Sequence, residues 1–256
     1  MTPSISAILI AKDEEVDLPA CLESLKGLAG EVVVVVSEDT SDRTEELARA
    51  AGAKILRRRF DDYARQRQAG LEAATGDWCL WIDPDERVTA QLAAEIRSVL
   101  AAGPTVSGYA IPFEIIFLGR VLRWGGLGSE SHLRLFRRGL SRFVGGALHE
   151  GIAVDGCLGR LNGVMVHEPY RDISDYLSKL DRYTTLAAQK RFSAGKRFTP
   201  LHHLILPWEF FARAILKLGL RDGYPGMVGA GLSAYHSWLK YAKLRGLERA
   251  CREDAI

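Results

Sequence analysis

The chain has 256 residues, of which 47% are hydrophobic and 26% charged, enough to bury a core as one large domain or as a domain with an appendage, and too apolar for a disordered chain. The four cysteines, Cys21, Cys79, Cys157 and Cys251, are far apart and form no C-x-x-C pair, which argues against a zinc site or a disulfide framework and fits a reducing cytoplasm. The net charge of +2 hides an asymmetry: residues 1–100 carry 12 basic against 19 acidic side chains, leaving 22 against 13 for residues 101–256.

In chain order, Ile5 to Ile10 is a short apolar run. No basic segment precedes it, so a secretory signal is not expected. Lys12-Asp13-Glu14-Glu15 then leads into a helical spacing of Leu18, Leu22 and Leu25. Five consecutive valines, Val32 to Val36, predict a strand buried on both faces, as in a parallel sheet. Ser37 to Asp42 supplies loop and capping chemistry for a helix ending near Gly52. A third strand over Lys54–Arg58, a third helix over Asp62–Ala74 and a fourth strand over Trp78–Ile82 follow. Four βα units in about 100 residues predict an α/β fold with a doubly wound, mostly parallel sheet.

The most informative motif is Asp83-Pro84-Asp85-Glu86, directly after the fourth strand. Two carboxylates one residue apart at a strand's C-terminal exit stand where open α/β sheets bind ligands. Such hard oxygen ligands suit Mg²⁺ or Mn²⁺ carrying a diphosphate. The competing reading is that Asp83 and Asp85 cap the next helix.

Further along, Leu133 to Phe136 alternates apolar residues with Arg134, ahead of Arg137 and Arg138. These arginines read either as a solvated strand face or as phosphate ligands. Asp172 to Ser193 reads as one helix, and Leu201 to Leu218 is almost wholly apolar apart from His202, His203 and the four-spaced Glu209, Arg213 and Lys217. After a break at Gly219 to Gly226, a helix resumes from Met227 and ends in a basic segment. Neither apolar run reaches the ~20 uncharged residues that span a bilayer. The combination predicts a helical C-terminal extension lying in the plane of an anionic membrane surface. Burial of these helices against the sheet or another subunit, as in a homo-oligomer, is the alternative. No nucleic-acid fold signature appears among the basic residues, so nucleic acid is not expected as a partner.

Four segments together resemble the family 2 glycosyltransferases of the GT-A fold: Ser6 to Glu15, the valine strand leading into Thr40-Ser41-Asp42-Arg43-Thr44, Arg67 to Trp78, and Asp83 to Arg87. Phe117-Leu118-Gly119-Arg120, Leu133 to Gly139, Leu148-His149-Glu150, Tyr170-Arg171-Asp172 and Leu239-Lys240-Tyr241 look like the bacterial lipopolysaccharide-core β-glucosyltransferase subgroup. The resemblance implies residues 1–170 as a nucleotide-sugar-binding catalytic domain and residues 171–256 as a helical extension on the acceptor and membrane side. The implied reaction is inverting transfer of a sugar, with glucose and UDP favoured, to a lipid-linked glycan such as the lipopolysaccharide inner core. The implied location is the inner face of the cytoplasmic membrane.

Asp85 is then expected to hold the cation, with Asp83 reaching the ribose or a metal-bound water, or joining the metal. Ala11, Asp13, Glu14, Ser37, Glu38, Asp39 and Arg67 are expected around the nucleotide. Ser37 stands where relatives commonly carry an aspartate, which loosens the expectation of uracil. For Glu38 and Asp39 helix capping is the competing role, and for Arg67 a solvated helix face. Glu150 is the expected general base, with Glu130 its rival, and His149 a candidate metal ligand or diphosphate donor. His167-Glu168 repeats the His-Glu pair, but Pro169 marks it as a structural turn. Other readings keep the sheet without catalysis, as a nucleotide-sugar-binding protein, or direct transfer to another cell-envelope polysaccharide.

Overall fold

A computed structural model describes residues 3–126, 128, 130–146 and 149–253, with the side chains of His149, Glu150, Arg252 and Glu253 outside that description. Strands and helices alternate through β1 (Ile5–Ala11), α1 (Leu18–Ser24), β2 (Glu31–Ser37), α2 (Thr44–Ala50), β3 (Lys54–Arg58), α3 (Tyr63–Ala73) and β4 (Trp78–Trp81). After β5 (Glu86–Val88) and α4 (Ala90–Ala101) come β6 (Gly108–Phe117), β7 (Arg120–Leu122), β8 (Ser131–Arg137), β9 (Ser141–Gly146), β10 (His149–Val154), β11 (Leu158–Arg160) and β12 (Met165–His167). The chain closes with α5 (Ile173–Ser193), α6 (Ile205–Phe211) and α7 (Tyr224–Glu253).

The main sheet runs β3-β2-β1-β4-β8-β6-β12-β5. Its first four strands are parallel, so the ends of β1, β2, β3 and β4 share one edge. The sheet turns mixed at β8, which runs antiparallel to both β4 and β6. A separate hairpin pairs β9 with β10.

Two compact units divide the chain: Met1–Glu114 with Glu130–His167, and Ile115–Ser129 with Glu168–Ile256. In the first, successive strand residues feed opposite faces of the sheet. Ala7, Leu9, Val34, Val36, Trp78, Leu80 and Leu135 join a core with Leu18, Leu22, Leu92 and Ile96. Ile8, Val33, Cys79 and Phe136 form the other with Ala64, Leu71 and Phe143. Covering both faces explains why the valine run has no polar alternation. At about 2 kcal/mol per buried aliphatic side chain, the two cores dominate this unit's stability. Helix starts follow local capping: the Asp62 carboxylate accepts from Arg65 N at 2.8 Å and the Thr89 hydroxyl from Leu92 N at 3.2 Å.

The second unit is built from helices. Asp172 caps α5 by accepting from Asp175 N at 2.8 Å. Phe117, Leu122, Tyr176 and Leu180 form its small core, with Val228, Leu232 and Leu239 of α7 against it. The apolar stretch expected as one helix is instead a 3₁₀ turn at Pro200–Leu204, then α6, then a π-helical turn at Ala212–Leu216. Arg213 still reaches Glu209, at 3.2 Å. The wider π turn shifts Lys217 off the stripe that uniform four-residue spacing predicts.

Candidate active site

Strand register brings the acidic motif to its partners. Leu135 of β8 lies opposite Leu80 of β4, so Arg134 falls beside the strand exit where Asp83 begins the turn. His167 of β12 lies opposite Glu86 of β5, one residue from Asp85. Arg67 arrives from α3.

Asp83 is held on both oxygens. Oδ1 accepts from Arg67 Nη2 at 2.9 Å and from the Trp81 indole at 3.3 Å; Oδ2 accepts from Arg134 Nη2 at 3.2 Å. Arg134 also donates to Glu86 Oε1 at 2.5 Å, and Glu86 Oε2 accepts from Asp83 N at 2.9 Å. Both guanidiniums lie over the Trp81 ring, at 4.5 Å for Arg67 and 4.1 Å for Arg134. Arg67 and Arg134 are only 7% and 6% exposed, so two buried cations share the Asp83 carboxylate, with Glu86 a further acceptor for Arg134. Arg134 Nε and Nη1 are buried with no hydrogen-bond partner among the described residues.

Charge and burial compete here. Burial would raise the Asp83 carboxyl, but Arg134 and Arg67 outweigh it and hold the group well below the usual carboxylate range. In Glu86 burial wins, reinforced by the neighbouring Asp83 charge, and pushes the carboxyl up to about 8 against the pull of Arg134. Burial of His167 favours its neutral form, yet the Asp85 hydrogen bond and the Asp85, Glu86 and Asp83 charges lift it above the ordinary histidine value.

Asp83, expected as a ribose or metal ligand, therefore spends its oxygens on guanidinium and indole donors. Asp85 is differently placed: His167 Nε2 lies 3.2 Å from its Oδ2, and both side chains are about one quarter exposed. Two ligands on adjacent vertices of an octahedral ion, each ~2.1 Å from the metal, lie about 3 Å apart, so this pair fits one edge of a Mg²⁺ or Mn²⁺ site. Among the described residues no three His, Cys, Asp or Glu side chains cluster to hold an ion. A cation here would take its remaining ligands from a diphosphate and water. His149, expected near the metal, and Glu150, expected as base, have side chains outside the described part of the structure. Glu130 is exposed, 3.5 Å from His132 Nε2, while its backbone oxygen accepts from Phe113 N at 2.9 Å.

The nucleotide candidates gather at the ends of β1 and β2. Ala11 is buried at the end of β1, and Asp13 follows with a left-handed φ of 55°. Asp13 Oδ1 accepts from Ser41 N at 2.8 Å and Ser41 Oγ at 3.1 Å. Glu14 N donates to Thr44 Oγ1 at 2.7 Å. Ser37 is buried and donates to Asp39 Oδ1 at 2.5 Å, while Lys12 pairs with Asp39 Oδ2. Those two partners hold the Asp39 carboxyl below the usual range. Glu38 and Asp39 line a cavity of about 510 Å³ with Arg59 and Phe60.

Three residues beside these candidates stand outside the sets expected for metal, base and nucleotide. The sequence offers Arg134 as a solvated face or a phosphate ligand and His167 as part of a turn; both reach the acidic motif through strand pairings distant in sequence. Phe60 carried no signal beyond being an aromatic residue in a polar loop.

Residues 6–116 match the model of Glycosyl transferase family 2. The chain is 29% identical over 248 residues to the lipopolysaccharide core biosynthesis glycosyltransferase LpsC of Rhizobium meliloti, covering 94% of this chain and 91% of the relative. It is 25% identical over 260 residues to an uncharacterized glycosyltransferase, RT0209, of Rickettsia typhi, covering 97% and 89%. In fold it is similar to residues 1–349 of TarS from S. aureus, solved with UDP-GlcNAc, with a TM-score of 0.51 at 13% identity over 94% of this chain and 91% of that one. The parallel sheet with its acidic exit turn, the match over residues 6–116 and the near-full-length likeness agree: the chain is similar to family 2 glycosyltransferases and has a GT-A type fold.

Proposed function

We propose that the chain transfers a sugar, glucose from UDP-glucose, with inversion to a hydroxyl of a lipid-linked glycan of the lipopolysaccharide inner core. The observation that carries this is the Asp85–His167 pair, 3.2 Å apart at the ligand-binding edge of a family 2 domain. The likeness to LpsC, a lipopolysaccharide core glycosyltransferase, supports the choice of acceptor.

Asp85 and His167 would hold a divalent cation, which would supply positive charge against that growing on the departing diphosphate. Asp13, Ser37, Glu38 and Asp39 border the nucleotide. Asp83 orients rather than binds: by gripping Arg67 and Arg134 it fixes the turn from which Asp85 projects. Glu150 takes the acceptor hydroxyl's proton as that oxygen attacks the anomeric carbon and the sugar–diphosphate bond breaks, with Glu130 the rival for this role.

The second unit works at the inner leaflet of the cytoplasmic membrane. Leu201, Trp208 and Tyr224 are 73%, 60% and 65% exposed, among basic residues, and among the described residues no helix is long and apolar enough to cross a bilayer.

Purified protein given UDP-glucose, Mn²⁺ and truncated core glycolipid should release UDP in step with glycolipid glucosylation. Ligand-induced stabilisation without UDP release would instead describe a binder without catalysis. Glu150→Gln should retain donor binding and lose turnover; near-normal turnover transfers the base role to Glu130.

A further inference from the structure

The second unit contains a pocket of about 320 Å³ lined by Arg120, Val121, Arg123, Trp124, Arg221 and Asp222. Three arginines and one aspartate are among its lining residues. Among the described residues none of the three arginines forms an ion pair, and Arg221 instead lies over the Trp124 ring at 5.0 Å.

The walls are fixed by the backbone. Asp222, 5% exposed, uses Oδ2 to accept from Arg123 N at 3.0 Å and Trp124 N at 2.8 Å, so its charge organises the turn that presents both side chains. Gly125 N donates to Lys217 O at 2.8 Å, and Arg213 Nη1 donates to Gly125 O at 3.2 Å. The segments meet too closely for side chains at two positions: a Cβ on Gly219 would lie 2.7 Å from Arg213 O, and one on Gly226 would lie 2.0 Å from Gly219 O. Three arginines that line one pocket on so tightly tied a frame suit an anionic ligand. Arginine's planar fork favours phosphate in particular.

We propose that this pocket binds a phosphate monoester carried on a sugar, the three arginines taking the phosphate and the Trp124 face the sugar ring. This rests on the proposed transferase reading for its place in the reaction, where the pocket would select an acceptor glycan bearing phosphate. The pocket is concave and holds one indole, which suits a single phosphorylated ring better than a lipid surface.

The test is calorimetric titration of the full chain with glucose 6-phosphate, inorganic phosphate and glucose. Vesicles of phosphatidylcholine with and without phosphatidic acid form a separate arm. Glucose 6-phosphate should bind more tightly than inorganic phosphate, and glucose should not bind. Arg120→Gln/Arg221→Gln should weaken glucose 6-phosphate at least tenfold, and Trp124→Leu should reduce it to the level of inorganic phosphate. UDP affinity with Mn²⁺ should stay unchanged in both variants. No binding of either phosphate, or binding indifferent to the arginine substitutions, overturns the proposal. An effect confined to phosphatidic-acid vesicles overturns the sugar assignment. If UDP fails to bind the unaltered protein while glucose 6-phosphate binds through the arginines, the transferase reading fails and the pocket stands.

Discussion

In the first unit Trp78, Leu80, Ile82 and Phe136 are wholly shielded between sheet and helices, whereas in the second Leu201, Leu204, Trp208 and Leu216 stand largely in solvent. The contrast extends to charge. Arg67 and Arg134 are buried and share the Asp83 carboxylate, while Arg120, Arg123 and Arg221 line a pocket and form no ion pair among the described residues. One unit resolves its apolar and charged groups internally and so fixes a site. The other keeps large apolar side chains and these three arginines in solvent, a surface of the kind that partners cover.

Substitutions at matched residue types sharpen that contrast. Trp78→Ala should cost about 4 kcal/mol of stability, because it empties a site that is 0% exposed in the first core. Trp208→Ala should change stability by less than about 0.5 kcal/mol and weaken binding to anionic vesicles. Denaturant titration and vesicle sedimentation read the two effects. Equal stability losses would break the distinction between the units.

Asp83→Asn comes next in size, at about 3 kcal/mol near neutral pH, since it leaves Arg67 and Arg134 buried without their shared counter-charge. The sign with pH is fixed by the depressed Asp83 carboxyl. Its stabilisation is complete above the unfolded-state value near 4 and fades as pH falls toward the lower folded-state value, so the gap between the two proteins should narrow below about pH 4. A gap that stays constant down to pH 2 would mean that the carboxylate is not what the arginines stabilise.

The smallest effect is chemical. Burial pushes the Cys79 thiol up to about 12 and raises Cys21 well above its ordinary value, while Cys157 and Cys251 are exposed. Alkylation at neutral pH under native conditions should therefore modify Cys157 and Cys251 quickly and spare the other two until unfolding. Mass spectrometry of the modified peptides distinguishes the pairs.

Much of the first unit was legible because its signals are local. Five valines make a buried strand, Asp62 and Asp172 cap helices within three residues, and the acidic motif follows its strand directly. The environment of that motif was not legible. Arg134 meets Asp83 across 51 residues and His167 meets Asp85 across 82, through antiparallel pairings that no short window of sequence specifies. Alternation correctly marked β8 as a strand, but could not say that its arginine is buried over the Trp81 indole instead of facing water. In the second unit the apolar residues were legible as helical, while the π turn at Ala212–Leu216 was not, because helical periodicity assumes a constant turn.

The central claim is that Asp85, with His167, presents a cation to a sugar-nucleotide diphosphate. The direct measurement is UDP affinity of the unaltered protein, Asp85→Ala and His167→Ala, each with Mn²⁺ and with chelator. The account predicts that Mn²⁺ tightens UDP binding at least tenfold in the unaltered protein, that this gain vanishes in Asp85→Ala and shrinks in His167→Ala, and that the three proteins bind UDP alike in chelator. A Mn²⁺ gain that survives intact in Asp85→Ala would contradict it.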